Sequence, residues 1–309
     1  MVNALRNEGR VNNLRYAKHK YTYPNKNYPL LGLPKELDFS TNVDIEIIGS
    51  DEVFNAVQSN PDVGYTRDLF GHNSKATKIA SYAASFGNTT VDKLRQYQIA
   101  KDVAEDLLNF DHISVRDQNS ANIVAELTGR TPRINIDPAL AFDYRKDEPK
   151  IPSQQLFSGK YVIAYGYASR FSEAENRAVA EYARSIGATI FGFGGMQDCV
   201  DRFIDCSPFE LLAYFRDAEA IITDTFHGTI FSIINEKNFA TIIRPSVGQH
   251  YGNEEKLDYL LATFNLSNRR AYDGKIASIL DTEITYPAVN EILAEERVRT
   301  REYLMEVLS

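Results

Sequence analysis

The sequence has no tryptophan and only two cysteines, Cys199 and Cys206, among 309 residues. Two cysteines are too few for a disulfide scaffold, and alone they cannot complete a four-ligand zinc site. No apolar run approaches the roughly 18–20 residues that cross a bilayer. The first residues also lack the apolar region of a secretion signal. We therefore expect a cytoplasmic protein with no membrane span and no resident metal.

Basic residues are scarcer than acidic ones, 34 against 42, which gives a net charge of −8. A surface of this sign repels nucleic acid and anionic lipid unless basic residues cluster locally. The one basic-rich stretch is the first 20 residues, which we interpret as a solvated or frayed terminus rather than a nucleic-acid arm. We predict no nucleic-acid partner and at most peripheral membrane association.

Hydrophobic residues make up 43 % of the chain and charged residues 25 %, which are ordinary globular values. The length exceeds the ~150 residues of one domain, so two domains are expected. Residues 143–159 hold charge pairs and two prolines, as a linker does. We predict an N-terminal lobe over residues 1–145 and a C-terminal lobe over residues 155–309.

Strands and helices alternate on both sides of this linker. In the first lobe, strands are predicted at 44–49, 78–87, 112–117 and 133–136, with helices at 91–110 and 118–127. In the second lobe, strands are predicted at 160–167, 188–193, 220–223 and 239–245, and helices at 226–234, 254–264 and from 288. Two further helices are predicted from their start signals: Ser172 with Glu175 forms a capping box, and Ser207 with Glu210 places an N-cap and an N3 acid around Pro208. Such alternation predicts an α/β fold of two Rossmann-like lobes, with parallel sheets flanked by helices. A ligand should lie outside the carboxyl ends of the strands.

The most informative strand-to-helix turn spans residues 223–228. The amides and dipole of the helix that begins there form an anion site, and Gly228 would let a ligand approach the backbone. His227 lies in the first turn, where it can give a proton or a hydrogen bond to the ligand. Asp224 is the expected N-cap of the helix. A plain helix cap with a buried histidine fits this turn, taken alone, equally well.

Three further turns carry polar residues. Arg116 lies at the end of the strand at 112–117 and can hold a carboxylate or phosphate with two hydrogen bonds; a local ion pair explains it equally well. Ser50 and Asp51 follow the first strand, where a simple turn with Asp51 as N-cap is the favoured alternative. Arg244 ends another strand, where a surface arginine is favoured.

Six segments taken in order resemble the polysaccharide pyruvyl transferase family, over about residues 43–270. They are IIGSDEVFN, SYAASFG, SVRDQNS, DPAL, ITDTFHGTIFSI and NEEKLDYLLATFNLSNR. The resemblance implies two Rossmann lobes of the glycosyltransferase-B type. It also implies transfer of an enolpyruvyl unit from phosphoenolpyruvate to sugar hydroxyls, which makes a cyclic pyruvate ketal and releases phosphate.

The implied chemistry assigns roles to the candidate residues. His227 would be the general acid, and Arg116 would clamp the donor carboxylate, with Arg244 as a second candidate. Donor and acceptor contacts would come from two turns, namely Asp224, Thr225, Phe226 and Gly228 in one and Ser50 and Asp51 in the other. The scheme needs no metal or organic cofactor. The partners would be phosphoenolpyruvate and a sugar or lipid-linked saccharide acceptor.

The chain departs from the family at three places. Thr225 stands where some members have arginine, and Phe226 stands where others have leucine. The family's chains begin with a strand and an Asn/Gly-rich turn, whereas about 40 irregular residues are expected here, so the first lobe should be incomplete. Two alternatives stay open. One is a nucleotide-sugar glycosyltransferase with the same two-lobed fold, and the other is a degenerate, non-catalytic member that binds sugar or another anion.

Overall fold

The computed structural model describes residues 2–33, 42–57, 65–245, 253–272 and 275–309, with only the backbone for residues 2–8. Its strands, in chain order, are β1 Ile45–Ile48, β2 Lys78–Ser81, β3 Ser114–Val115, β4 Arg133–Ile134, β5 Tyr161–Gly166, β6 Thr189–Gly194, β7 Arg202–Phe203, β8 Ala220–Thr223, β9 Phe239–Ile242 and β10 Arg270–Ala271. Its α-helices are α1 Val2–Asn27, α2 Val91–Gln96, α3 Ala100–Leu108, α4 Gln118–Thr128, α5 Pro138–Ala141, α6 Tyr144–Asp147, α7 Glu173–Ser185, α8 Pro208–Asp217, α9 Phe226–Ile234, α10 Glu254–Thr263, α11 Ile276–Leu280 and α12 Tyr286–Leu308.

The chain divides into two compact units, and each is built from two stretches of sequence. Unit 1 contains Met1–Lys35 and Asp143–Val289, and unit 2 contains Glu36–Phe142 and Asn290–Ser309. The predicted lobes, 1–145 and 155–309, differ from this division at both chain ends. The start of the chain belongs with the later strands, and the end belongs with the earlier ones.

Unit 1 is built on a parallel six-stranded sheet in the order β10-β9-β8-β5-β6-β7. Its central strands are buried along their length, because helices cover a parallel sheet on both faces. α7 and α8 begin with the predicted capping boxes, in which Ser172 pairs with Glu175 and Ser207 with Glu210. The α/β class with parallel sheets flanked by helices is therefore confirmed.

Helix α1 covers the edge of this sheet, so the expectation of an irregular start to the chain is wrong for residues 2–27. β7 is an edge strand, and the side chain of Asn12 forms hydrogen bonds with the backbone at this edge. The Asn12 amide donates to the Asp201 carbonyl at 2.9 Å and accepts from the Phe203 amide at 3.1 Å. His19 lies 2.6 Å from the Asp205 carboxylate. Covering an edge strand in this way removes unpaired hydrogen-bonding groups, which gives the helix a structural role.

Unit 2 contains two parallel strand pairs, β1-β2 and β3-β4. Single parallel bridges, Ala80 to His112 and Ala84 to Val115, join β2 to the start of the second pair. A core of phenylalanines packs beneath the strands, with the rings of Phe54 and Phe70 stacked at 4.7 Å. Tyr303 of α12 is buried here and donates to the Ser81 carbonyl, which explains why the end of the chain belongs to this unit.

The helix predicted over 91–110 is two helices, because the chain turns sharply between α2 and α3. Gln98 has a φ of 59°, in the left-handed region, which no α-helix continues through. The strands expected at 112–117 and 133–136 are only two residues long each. Within the described ranges, no helix is both long and apolar enough to cross a membrane.

Candidate active site

The site in unit 1 follows from the order of its strands. β5 is the earliest strand of the sheet, and the chain adds β6 and β7 on one side of it and β8, β9 and β10 on the other. The strand order therefore reverses between β5 and β8, which is where open α/β sheets bind ligands. The turn after β5 contains Arg170, and the turn after β8 contains Asp224 and Thr225.

Asp224 is a buried carboxylate held by two arginines. Its Oδ2 lies 3.0 Å from Nε of Arg170 and 3.2 Å from Nε of Arg244, and its side chain is 0 % exposed. Its Oδ1 is also buried and has no hydrogen-bond partner among the described residues. A Cβ at Gly166, the last residue of β5, would lie 2.8 Å from this oxygen, so only glycine leaves room for the carboxylate.

Burial raises the pKa of the Asp224 carboxyl above its ordinary value, and the charges of Arg170 and Arg244 offset this only in part. Arg244 also pairs with Glu175, its Nη2 lying 2.9 Å from Oε2. Glu175 is thus both the acid of the α7 capping box and an arginine partner. Across the described ranges, no three His, Cys, Asp or Glu side chains are grouped to hold a metal ion.

The side chain of Asn253 holds the backbone of the two turns that contain Asp224 and Arg244. Its amide nitrogen donates to the carbonyls of Asp224 at 2.7 Å and Ile242 at 3.0 Å, and its oxygen accepts from the Arg244 amide at 2.6 Å. One buried side chain therefore ties together the ends of β8 and β9. We expect the two turns to hold their geometry with little freedom because these bonds are buried.

Arg170 presents an oriented guanidinium at the same edge. Its Nε forms an ion pair with Asp224 at 3.0 Å, and its guanidinium carbon lies 5.2 Å from the centre of the Tyr167 ring. Among the described residues, no hydrogen bond is made by Nη1 or Nη2, and the side chain is 32 % exposed. A guanidinium with both terminal nitrogens available suits bidentate binding of phosphate or carboxylate.

Thr225, not Asp224, caps helix α9. Thr225 has an extended backbone, and its Oγ1 accepts from the Gly228 amide at 2.9 Å. The Asp224 carboxylate cannot serve as the cap because the two arginines hold it in the sheet edge. The prediction that Asp224 is the N-cap is therefore wrong.

Gly228 is required by packing inside the protein, and its part in the approach of a ligand stays a prediction. A Cβ there would lie 2.1 Å from Oγ1 of Thr223. Phe226 is buried, with 8 % of its surface exposed. His227 is half-buried in the first turn of α9, with the rings of Phe226 and Phe231 centred 5.8 Å and 6.1 Å away. Of the predicted residues, unit 1 brings together Asp224, Thr225, Phe226, His227, Gly228 and Arg244.

Unit 2 brings together the other three predicted residues around Asp137. Arg116 has a buried side chain whose Nη1 lies 3.1 Å from the Asp137 carboxylate and whose Nη2 lies 3.5 Å from Asp51. The Ser50 hydroxyl lies 3.4 Å from Asp137. Residues 51–54 form a turn, as the favoured interpretation predicted, but no helix begins there, so Asp51 is not an N-cap. Arg116 has the local ion pair that was one of its two explanations, and its donor role stays a prediction.

The sequence interpretation missed Arg170, Asn253 and Asp137 and saw Glu175 only as a capping acid. Arg170 could have been found, because it lies in a strand-to-helix turn of the kind that singled out the other candidates. The same signal applied to Asp137, which follows the predicted strand at 133–136 and begins the segment DPAL. Asn253 gave no such signal, because its role depends on tertiary contacts with the ends of β8 and β9.

The family model for polysaccharide pyruvyl transferase matches residues 1–245 of the chain. This match identifies the chain as a transferase, and the parallel α/β unit with charged residues at its switch point agrees with that class. The chain belongs to the polysaccharide pyruvyl transferase family, as the sequence motifs predicted. No curated protein matches it by sequence.

Solved structures of similar fold include a protein named as a UDP-N-acetylglucosamine 2-epimerase from Listeria monocytogenes, at 12 % identity and a TM-score of 0.45, covering 82 % of this chain and 67 % of that one. Another is Arabidopsis thaliana UGT89C1 complexed with UDP-L-rhamnose, at 11 % identity, a TM-score of 0.38 and coverage of 85 % and 66 %. A trehalose-phosphate synthase from Burkholderia vietnamiensis matches at 10 % identity, a TM-score of 0.38 and coverage of 78 % and 67 %. The chain thus spans about two thirds of their length. With TM-scores below 0.5, these neighbours carry no argument about the site.

Proposed function

We propose that this chain transfers the enolpyruvyl group of phosphoenolpyruvate to two hydroxyls of a sugar in a polysaccharide precursor, and that the switch point of unit 1 binds the donor. The observation that carries the proposal is Asp224, a buried carboxylate that holds two arginines at the edge where helix α9 begins. The family match supports the reaction class.

The donor carries a phosphate and a carboxylate, so its site needs positive charge and hydrogen-bond donors. The N-terminus of α9 supplies a favourable dipole for an anion. Arg170 supplies a guanidinium whose direction is already fixed by Asp224 and by the Tyr167 ring, so little side-chain entropy is lost when an anion binds. Some family members have arginine where this chain has Thr225. In our proposal Arg170 and Arg244, which both form ion pairs with the neighbouring Asp224, supply the charge instead.

The reaction runs by addition and elimination. A proton is added to the methylene carbon of the donor, and positive charge develops at C2. One sugar hydroxyl forms a bond to C2, the C2–O bond to phosphate breaks, and a second hydroxyl then closes the ketal. The two sugar hydroxyls lose two protons in all. One proton is replaced on the acid that protonated the methylene carbon, and the other leaves with the phosphate. The donor already holds the activated group, so the scheme needs no metal or organic cofactor.

His227 is the proposed general acid, because it is half-buried in the first turn of the helix that would receive the donor. His227→Gln keeps the size and a hydrogen-bond donor, so phosphoenolpyruvate should still bind. Turnover should fall by ~10²–10⁴, the usual contribution of a positioned acid. The measurement is single-turnover phosphate release, with His72→Gln in unit 2 as the matched control. Normal turnover by His227→Gln would place the acid elsewhere, and loss of donor binding would make His227 a ligand contact.

A nucleotide-sugar glycosyltransferase would place a diphosphate at the same helix start, and thermal unfolding with added ligands distinguishes the two. Stabilisation by phosphoenolpyruvate supports the pyruvyl transferase, because only a ligand that binds the folded state raises the unfolding temperature. Stabilisation by nucleoside diphosphates alone would favour the glycosyltransferase. Stabilisation by neither would favour a non-catalytic member of the family.

A further inference from the structure

Helix α1 has two sides, and among the described residues its contacts with β7 and Asp205 come from one of them. Its inner side meets β7 through Asn12 and His19, as described above. Arg10, Leu14, Lys18 and Tyr21 follow one another at intervals of four, four and three residues, so they share the opposite side of the helix. We call these four residues the outer face of α1. All four are exposed, Leu14 to 70 % and Tyr21 to 84 %.

Exposed apolar side chains are concentrated in and just after this helix. Of the 17 exposed large apolar side chains among the described residues, seven lie between positions 11 and 33. They are Val11, Leu14, Tyr21, Tyr28, Leu30, Leu31 and Leu33. Single exposed apolar residues are ordinary, but a concentration of this kind marks an interaction surface.

The same segment is basic in an acidic protein. Residues 9–33 contain five lysines and arginines and no acidic residue, whereas the whole chain has a net charge of −8. Asp205 pairs with His19 and Lys26 of α1, and it lies against the inner side of the helix. The outer face therefore presents positive charge to any partner, and an anionic partner complements it.

We propose that the outer face of α1, with the turn that follows it, docks on an anionic lipid surface. Basic side chains interleaved with leucine and tyrosine suit the boundary between head groups and acyl chains, where cations meet lipid phosphates and apolar side chains leave water. A nucleic-acid surface would make use of Arg10 and Lys18 but not of Leu14, Leu30 or Leu31. Docking of this kind is reversible, and it does not depend on which group the enzyme transfers.

Vesicle cosedimentation with the full chain tests the charge requirement. The protein should bind vesicles of phosphatidylcholine with phosphatidylglycerol, bind little to phosphatidylcholine alone, and be released by salt. Arg10→Glu with Lys18→Glu should lower the vesicle partition coefficient on the order of tenfold or more. The control, Lys101→Glu with Arg184→Glu, makes the same charge change at exposed sites elsewhere and should bind as the wild type does. Equal loss in both double variants would overturn the proposal.

A fluorescence experiment tests whether the outer face itself enters the lipid. The chain has no tryptophan, so Tyr21→Trp introduces a single reporter. Its emission should shift to shorter wavelength with anionic vesicles, whereas Tyr97→Trp, at a 59 % exposed position in unit 2, should not shift. Neither substitution touches a contact of α1 with β7, and circular dichroism will show that both variants fold. An unshifted Tyr21→Trp spectrum would refute lipid docking, as would self-association through α1 without vesicle binding.

Discussion

At the scale of single residues, Asp224 is central to the proposed donor site, because its carboxylate pairs with Arg170 and Arg244 at the switch point of the unit 1 sheet. Its burial makes the folding stability of the protein depend on pH. The folded protein takes up the Asp224 proton at higher pH than the unfolded chain, since burial raises the pKa of this carboxyl from its ordinary value of 3.8. The stability that this group contributes is therefore greatest at low pH and falls as pH rises through the folded-state pKa.

Asp224→Asn should accordingly destabilise the protein less at about pH 7 than at about pH 4. The reason is that the variant no longer has to bury an ionised carboxylate, although it also loses the ion pairs with Arg170 and Arg244. Urea unfolding at the two pH values gives the difference. Asp92→Asn, at a side chain 93 % exposed, is the control and should show no such dependence. A larger loss for Asp224→Asn at the higher pH would mean that the arginine pairs outweigh the burial of the charge.

Arg170→Lys tests the donor contact. Lysine keeps the charge but cannot reproduce the planar fork, so phosphoenolpyruvate should bind more weakly by about 1–3 kcal/mol. The measurement is donor affinity by calorimetry. Arg177→Lys, at an exposed position on α7, should leave it unchanged. Equal affinities for wild type and Arg170→Lys would remove Arg170 from the donor site.

At the scale of elements, the helix start at α9 depends on Thr225. Thr225→Ala removes the cap of the Gly228 amide and should cost about 1 kcal/mol of folding stability. Thr225→Ser keeps a hydroxyl at the same place and should recover most of that loss. Chemical denaturation of the wild type and the two variants measures these differences in folding stability. Should Thr225→Ala be as stable as the wild type, the Thr225 hydroxyl would not stabilise the helix start.

Elements whose signals are local could be predicted from sequence. The capping boxes of α7 and α8 lie within four residues, and both were predicted from the serine and glutamate spacing alone. Helix α1 could not be predicted, because its inner side is fixed by β7, nearly 200 residues away, through Asn12. The site divides in the same way. His227 and Arg244 follow strands and were found, whereas the buried pairing of Asp224 with Arg170 brings together turns 54 residues apart and gave no local signal.

At the scale of the whole molecule, each unit is made from two stretches of chain. The first helix belongs to the unit formed mainly by the later residues, and the end of the last helix belongs to the unit formed mainly by the earlier ones. α1 completes the sheet edge of unit 1, and the later part of α12 packs into unit 2 through Tyr303. The two groups of predicted site residues divide in the same way, with His227 in unit 1 and Arg116 in unit 2. The proposed reaction uses the group in unit 1, and a role of Arg116 in donor binding stays a prediction.

The most direct test follows the pyruvyl group itself. The full chain is incubated in D₂O with ¹³C-labelled phosphoenolpyruvate and candidate nucleotide-linked or lipid-linked sugars, and the products are examined by NMR. The account predicts a sugar ketal whose methyl group carries one deuterium, with one phosphate released for each ketal formed. Transfer of label without deuterium in the methyl group would contradict protonation at the methylene carbon. Sugar transfer from a nucleotide donor, with no labelled ketal from any acceptor, would contradict the assigned function.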